Sequence, residues 1–500
     1  MNHARVIDPL CNFVARVTEE LVLDDGAETT RAFMLEGQLD NGLRLPPIRV
    51  PASKFSGMTW VTEGWGLRAV IRAGMGTRDY LREAIQTLSP VAVCRHIFTH
   101  TGWRTIGDRW VYLTATGAVG AAGYEVDLGP ELARYALPLR PEDPVAAMRA
   151  SADLLRGGIA PLTVMAPLWA AIYRAPTAAL LPVDVSVWVE GATGSLKSTL
   201  AALALAHYGP FDRLHLPGAW TSTANQLERR AFLLKDAPFV IDDYAPSGLD
   251  SRELELKAAR LLRAAGNGAG RGRLRADLSE RPSYPPRGII IATGEQHPPG
   301  QSVLARTLVV ELDRASIDLG ALSAAQAMAP QFPHAMAGYL AWLAPQMPTL
   351  GPSLVERFAA ARNRATSGQG HLRVPEAIAH LYLGIDLGLA YATSIGACSI
   401  HDADDLRDQC WHTLLETSAA QGTLIASQRP SHRFLTVLLT LLNQGQGILL
   451  PRDAGDGEGR PGVLGWQGDD ALYLLPEATW HALLPRDRRS ISRAAGTPPA

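Results

Sequence analysis

Cysteine is scarce: the 500 residues include four. Cys11, Cys94, Cys398 and Cys410 are scattered and form no Cys-x-x-Cys pair. That argues against a zinc ribbon and for a reducing, cytoplasmic setting. An excess of charge of one sign is also missing. The formal net charge is −2, so contact with a nucleic acid must come from a local patch and not from bulk attraction. No long apolar run is uninterrupted. The most apolar stretch, 158–182, contains Pro161, Pro167, Arg174 and Pro176. A membrane span needs about 20 apolar residues without such breaks, so a buried helical segment is expected and no membrane contact. The first residues lack the cationic-then-apolar pattern of a secretory signal, and no internal repeat is visible.

What is present is a globular composition, 47% hydrophobic and 19% charged, in a chain long enough for two or three domains. Residues 1–145 predict a mixed α/β domain. Segments 31–39, 47–50 and 109–113 read as strands, and 78–88 as a helix with Leu81, Ile85 and Leu88 on one face. His96 and His100 are four apart in a β-branched, aromatic context. On a strand that spacing is about 13 Å, too far for one metal ion, so a packed strand and turn is favoured over a metal site. Residues 146–182 read as a helical connector.

The central stretch is Gly191-Ala-Thr193-Gly194-Ser195-Leu196-Lys197-Ser198-Thr199. It follows the β-branched run 185–189 and precedes an Ala/Leu-rich run, so it reads as strand, glycine-rich turn and helix. This is the pattern of a phosphate-binding loop, in which backbone N–H groups at a helix start wrap a polyphosphate. Lys197 would reach the β- and γ-phosphates of ATP, and the Ser198 hydroxyl would hold Mg²⁺. Leu196 stands where such loops carry glycine. A residue entering the helix in right-handed φ/ψ need not be glycine, so the cradle is expected to survive.

Further on, 237–243 is a short apolar run ending in Asp242-Asp243. An apolar strand buried on both faces, with acids at its C-terminal end, belongs beside the phosphate loop. Asp242 would support the metal and Asp243 would polarise the attacking water. Residues 213–217 predict a strand before it, and Thr223 a helix cap. After the helix 251–265 comes a Gly/Arg-rich segment with Arg271, Arg273 and Arg275. It is either a loop that contacts phosphates, of a neighbour's nucleotide or of a nucleic-acid backbone, or a solvated loop. The strand 287–295 brings Thr293 to a strand end, where a hydroxyl can sense the γ-phosphate. Arg306 opens a fifth strand, 307–312; it is either a finger on a neighbour's nucleotide or a salt-bridged surface arginine. The ATPase core is thus 183–320. Residues 321–485 predict helices near 324–343, 353–364, 376–395, 403–424 and 431–442, then two short strands suggesting a winged helix. Residues 486–500 read as a disordered tail.

This order of parts is that of the additional-strand P-loop ATPases, AAA+ motors among them. The wording of 191–199, 220–228, 240–246, 287–295, 299–302 and 99–104 resembles the domain of unknown function 927 family, over roughly residues 10–345. The family occurs in bacterial mobile elements and phages, often beside primases, and some members look like hexameric helicases related to superfamily 3 and MCM-like motors. The resemblance implies an α/β fold with an AAA+/RecA-like parallel sheet, an N-terminal α/β domain and a mostly helical C-terminal region. It implies nucleotide binding at Gly191, Gly194, Ser195, Lys197 and Ser198, metal and water handling at Asp242 and Asp243, and sensing at Thr293. The expected activity is ATP hydrolysis with Mg²⁺ by a DNA motor, a homo-oligomer of hexamer type with a primase as a candidate partner. An ATP-switched regulatory protein without translocation remains the alternative, and a phosphotransferase fits less well.

Overall fold

The structure is a computed structural model. It describes residues 9–89, 92–247, 251–270, 273–274, 280–281, 283–366, 372–454, 460–479 and 481–482. Arg271, Arg275 and the tail 486–500 lie outside the described residues.

The N-terminal part contains β1 (Phe13–Asp24), β2 (Thr29–Leu39), β3 (Arg44–Pro51), α1 (Ala52–Phe55), α2 (Trp60–Trp65), α3 (Thr77–Thr87), β4 (Val93–Phe98), β5 (Gly102–Ile106), β6 (Arg109–Thr114), β7 (Gly117–Val119) and β8 (Glu125–Val126). The first sheet has the order β3-β2-β1-β4-β8, and β5-β6-β7 form a second. Beneath the first sheet Phe13, Leu35, Val50, Phe55, Trp60, Trp65, Leu81 and Ile85 form a separate core. The apolar spacing of α3 puts Leu81 and Ile85 on its buried face.

The second sheet is a plug into the rest of the molecule. Gly102 has φ +93°, and a Cβ there would meet the Lys235 carbonyl at 2.3 Å, so only glycine fits. Next to it, the Trp103 N–H donates to Asp236 Oδ2 at 2.9 Å and its indole donates to the Pro176 carbonyl at 2.7 Å. The Tyr112 hydroxyl donates to the Asp236 carbonyl at 2.7 Å. Burial raises the Asp236 carboxyl above its usual range, against the pull of Lys235. The 99–104 segment is therefore a structural joint. His96 lies on β4 and His100 in the buried turn after it. Among the described residues no group of three or more His, Cys, Asp or Glu is placed to hold a metal ion.

The central part contains α4 (Pro144–Arg156), α5 (Leu162–Arg174), β9 (Ser186–Glu190), α6 (Lys197–Leu205), β10 (Gly218–Ala219), α7 (Ala224–Leu233), β11 (Phe239–Tyr244), α8 (Ser251–Asn267), β12 (Arg273–Leu274), β13 (Glu280–Arg281), β14 (Ile290–Gly294), α9 (Gln301–Leu304) and β15 (Thr307–Glu311). Its sheet runs β10-β11-β14-β9-β15, all parallel. The first strand thus lies between the fourth and the fifth. Strands buried on both faces explain why β9, β14 and β15 read as unbroken apolar runs. The segment 213–217 is not a strand. Asp212 closes a turn there, accepting from the Leu214 N–H at 2.8 Å, and Leu214 is exposed.

The C-terminal part contains α10 (Leu319–Met328), α11 (Phe332–Leu343), α12 (Met347–Ala365), α13 (Arg373–Ser394), α14 (Ile400–Ser427), α15 (Pro430–Asn443), β16 (Ile448–Pro451), β17 (Val463–Gln467) and β18 (Leu472–Leu474). The single helix expected over 324–343 is two. Pro330 and Pro333 lack an N–H, and a 3₁₀ turn separates the pieces. The last strands are three, with β16 parallel and β18 antiparallel to β17, over a small core of Leu438, Leu441 and Leu464. One continuous apolar core extends from Trp103 to Ile425. At its centre lies α5, buried from Val164 to Arg174. The Arg174 charge is accommodated because its guanidinium donates to Thr177 Oγ1 at 2.8 Å and the Leu181 carbonyl at 2.6 Å. Among the described residues no helix is long and apolar enough to cross a membrane.

Candidate functional site

The C-terminal ends of β9, β11 and β14 meet at the start of α6, at the place where the sheet order reverses. The loop between β9 and α6 is held tightly. A Cβ on Gly191 would come within 2.3 Å of the Leu312 carbonyl and 2.8 Å of Ser195 Oγ. Gly194 takes φ +81°. Leu196 takes φ +67° and ψ +21°, which corrects the expectation of right-handed entry into the helix. The left-handed turn that loops of this kind delegate to glycine is made here by leucine, at a cost of about 1–2 kcal/mol. The Leu196 side chain packs against the main core, which offsets part of that cost.

The loop brings the expected polar groups together. The Lys197 ammonium lies back over the loop, donating to the Gly191 carbonyl at 2.7 Å and the Ala192 carbonyl at 2.8 Å. Partial burial lowers its pKa, and the carboxylates of Glu295, Asp242, Asp243 and Glu190 oppose that shift. The Ser198 hydroxyl donates to Asp242 Oδ1 at 2.7 Å. The Thr293 hydroxyl donates to the same oxygen and accepts from the Asp243 N–H at 3.2 Å. Ser198, Asp242 and Thr293, from a helix start and two strand ends, thus form one hydrogen-bonded chain. Thr199 is buried behind it.

The pairing of β11 with β14 shifts register between Ile241 and Tyr244, and Asp243 has φ +66°. In a regular strand adjacent side chains face opposite ways. The bulge breaks that alternation, leaving Asp242 hydrogen-bonded and Asp243 exposed at the rim.

Three acidic or basic groups at the site are additional to the motif residues. Glu295 accepts a hydrogen bond from the Thr193 hydroxyl. Glu190 pairs with His297 at 2.6 Å. Glu190 is the last residue of β9, Glu295 directly follows β14 and His297 lies three residues beyond its end, and this position was the available sequence signal.

The structure does not bring Arg306 to this loop. Arg306 precedes β15, whose Thr307 pairs with Ser186 and whose Glu311 pairs with Glu190. It therefore lies at the other end of the sheet, about 13 Å of strand away. There it donates to Asn267 Oδ1 at 2.8 Å and to the Ser302 carbonyl at 2.7 Å. Arg273 lies on β12, which pairs antiparallel with β13, Arg273 opposite Arg281.

A hydroxyl and a carboxylate side by side are hard oxygen donors suited to Mg²⁺, and the glycine-limited loop on a helix N-terminus suits a polyphosphate. The residues fit both groups.

No family model and no curated protein matches this chain. Among solved structures it is similar to one titled "SCCmec type IV Cch - active helicase", with a TM-score of 0.59 at 13% identity, over 97% of this chain and 88% of that one. A JCV helicase structure aligns at a TM-score of 0.24 and 17% identity, over 48% of this chain and 65% of that one. The C-terminal region of NrS-1 aligns at 0.25 and 10%, over 84% and 92%. The last two scores carry no structural argument. The Cch likeness is one of fold: an α/β chain with a five-stranded parallel sheet, a β-rich N-terminal part and a helical C-terminal region.

Proposed function

We propose that this chain is an ATP-dependent motor acting on DNA, a ring-forming helicase for replication of a mobile element. The observation that carries the reading is the chain Ser198–Asp242–Thr293 at the mouth of the phosphate loop, which joins a polyphosphate cradle to a metal-type donor pair. The whole-length fold likeness to a structure described as an active helicase supports it. Gly191, Thr193, Gly194, Ser195, Leu196 and Thr199 shape the cradle, and Lys197 turns from the loop carbonyls to the phosphates. Ser198 and Asp242 would hold Mg²⁺, which supplies charge neutralisation of the phosphates when bound. Thr293 keeps Asp242 oriented, and Asp243 polarises the attacking water.

Arg306 faces away from its own loop, so in this reading it serves the nucleotide of an adjacent copy, an effect worth roughly 10³–10⁵ in rate where such arginines are known. Arg271, Arg273 and Arg275 contact the DNA backbone. The division into 1–145, 146–182, 183–320, 321–485 and 486–500, the winged-helix reading of the last strands, the place in the domain of unknown function 927 family and a primase partner belong to the same proposal. A second reading, an ATP-switched regulatory protein, is favoured by the net charge of −2. ATPase assays with and without single-stranded and forked DNA test the first. DNA-stimulated turnover with strand displacement is expected. Turnover that ignores DNA, without displacement, would select the second.

A further inference from the structure

The strand that carries Thr293 ends in a turn with no spare room. A Cβ on Gly294 would come within 2.8 Å of the Gln296 carbonyl and 2.9 Å of the Tyr244 carbonyl. Glu295 follows at once and is anchored twice. Its N–H donates to the Tyr244 carbonyl at 3.0 Å, which sets it beside the Asp242–Asp243 bulge. Its carboxylate accepts from the Thr193 hydroxyl, on the exposed lip of the phosphate loop. Of the carboxylates that act on the Lys197 ammonium, Glu295 acts most strongly, ahead of Asp242 and Asp243.

The three acids are differently engaged. Asp242 Oδ1 accepts from both Ser198 and Thr293. The Asp243 side chain is exposed and makes no hydrogen bond among the described residues. Glu295 alone is tethered to the lip while keeping acceptor capacity, since a carboxylate has about four lone-pair sites.

We propose that Glu295 positions the attacking water in ATP hydrolysis, with Thr193 as its tether and Asp243 facing the same water from β11. The proposal rests on the hydrolysis reading of the loop. The water donates one hydrogen bond to the Glu295 carboxylate. As its oxygen bonds to the γ-phosphorus, the bond from that phosphorus to the β–γ bridging oxygen breaks, and the electron pair leaves with ADP. The water proton passes to Glu295 and then to solvent, so atoms and charge balance with water as the sole co-reactant. A glutamate suits this place because its extra methylene carries the carboxylate from the strand end to the loop lip.

The test compares Glu295→Gln, Glu295→Asp and Thr193→Val with the parent chain and with Lys197→Ala. It reads kcat, the Kd for a non-hydrolysable ATP analogue and the melting transition. For Glu295→Gln, kcat falls by about 10²–10³ and the Kd stays the same or tightens. Glu295→Asp recovers part of the rate. Thr193→Val lowers kcat by about tenfold, the loss of one hydrogen bond, and decides the matter should Glu295→Gln fail to fold. Parental kcat in Glu295→Gln, or a Kd weakened as much as kcat, overturns the proposal. If Lys197→Ala retains both analogue binding and turnover, the hydrolysis reading falls and takes this proposal with it. If Lys197→Ala is inactive while Glu295→Gln is unimpaired, this proposal alone falls.

Discussion

Leu196 offers a test of the shape of the 191–199 loop that is independent of turnover. Its left-handed backbone, φ +67°, costs a residue with a Cβ about 1–2 kcal/mol. Glycine escapes that cost and pays about 0.5–1 kcal/mol for its freer unfolded chain. At this position Leu196→Gly should therefore be more stable than Leu196→Ala by roughly 0.5–1 kcal/mol, the difference of those two terms. In a right-handed helical position the order reverses, alanine leading by about 1 kcal/mol. Both variants lose the same packing of the leucine side chain against the core, so that contribution cancels in the comparison. The assay is urea unfolding followed by tryptophan fluorescence, for which Trp188 on the adjacent strand is a buried reporter. The midpoint order glycine above alanine is expected. Alanine equal to or above glycine would refute the left-handed turn and restore the right-handed entry that the motif alone suggested.

Lys197→Ala should abolish ATP turnover while leaving the melting transition near the parent's, since among the described residues the ammonium bonds only its own loop; retained turnover would sink the site. Arg271→Ala with Arg273→Ala should weaken DNA binding and flatten its dependence on log salt by about one unit of slope per lost phosphate contact; unchanged binding would remove the Gly/Arg segment from the mechanism. Burial pushes His100, His207 and His380 down to about 4. Their folded pKa lies below the ordinary value near 6.5, so the unfolded chain binds more protons between the two values. Stability should decline as pH falls from about 6.5 towards 4, and a urea-midpoint series in which His207→Gln shows an undiminished slope would count against His207's share. Gly102→Ala forces a Cβ against the Lys235 carbonyl and should lower the melting temperature, whereas an unchanged transition would contradict the joint described above.

The strand, glycine-rich turn and helix around 191–199, the acid pair and the hydroxyl strand were legible in the sequence because each is a local pattern: apolar strand, then a polar group at its end. Other parts were not. The turn at 212–215 mimicked a strand because Leu214 and Leu216 alternate with polar residues, while Asp212 closes a turn that alternation does not report. Glu295 and His297 follow a recognised strand, but their relation to Thr193 and Glu190 depends on where neighbouring strand ends fall.

By itself the sequence determined the class of architecture and the order of the site's parts. Periodicity, apolar runs and chemistry-bearing residues at their ends are properties of short segments, set by local sterics and burial. Only the tertiary structure decided that Leu196 turns left-handed, that a bulge leaves Asp242 hydrogen-bonded and Asp243 exposed, that Arg306 faces the far end of the sheet and that Gly102 and Trp103 plug the N-terminal sheet into the base of β11. These depend on strand order, register and contacts between residues more than a hundred positions apart, such as Trp103 and Asp236, and no local pattern encodes which distant segment will fill a given space.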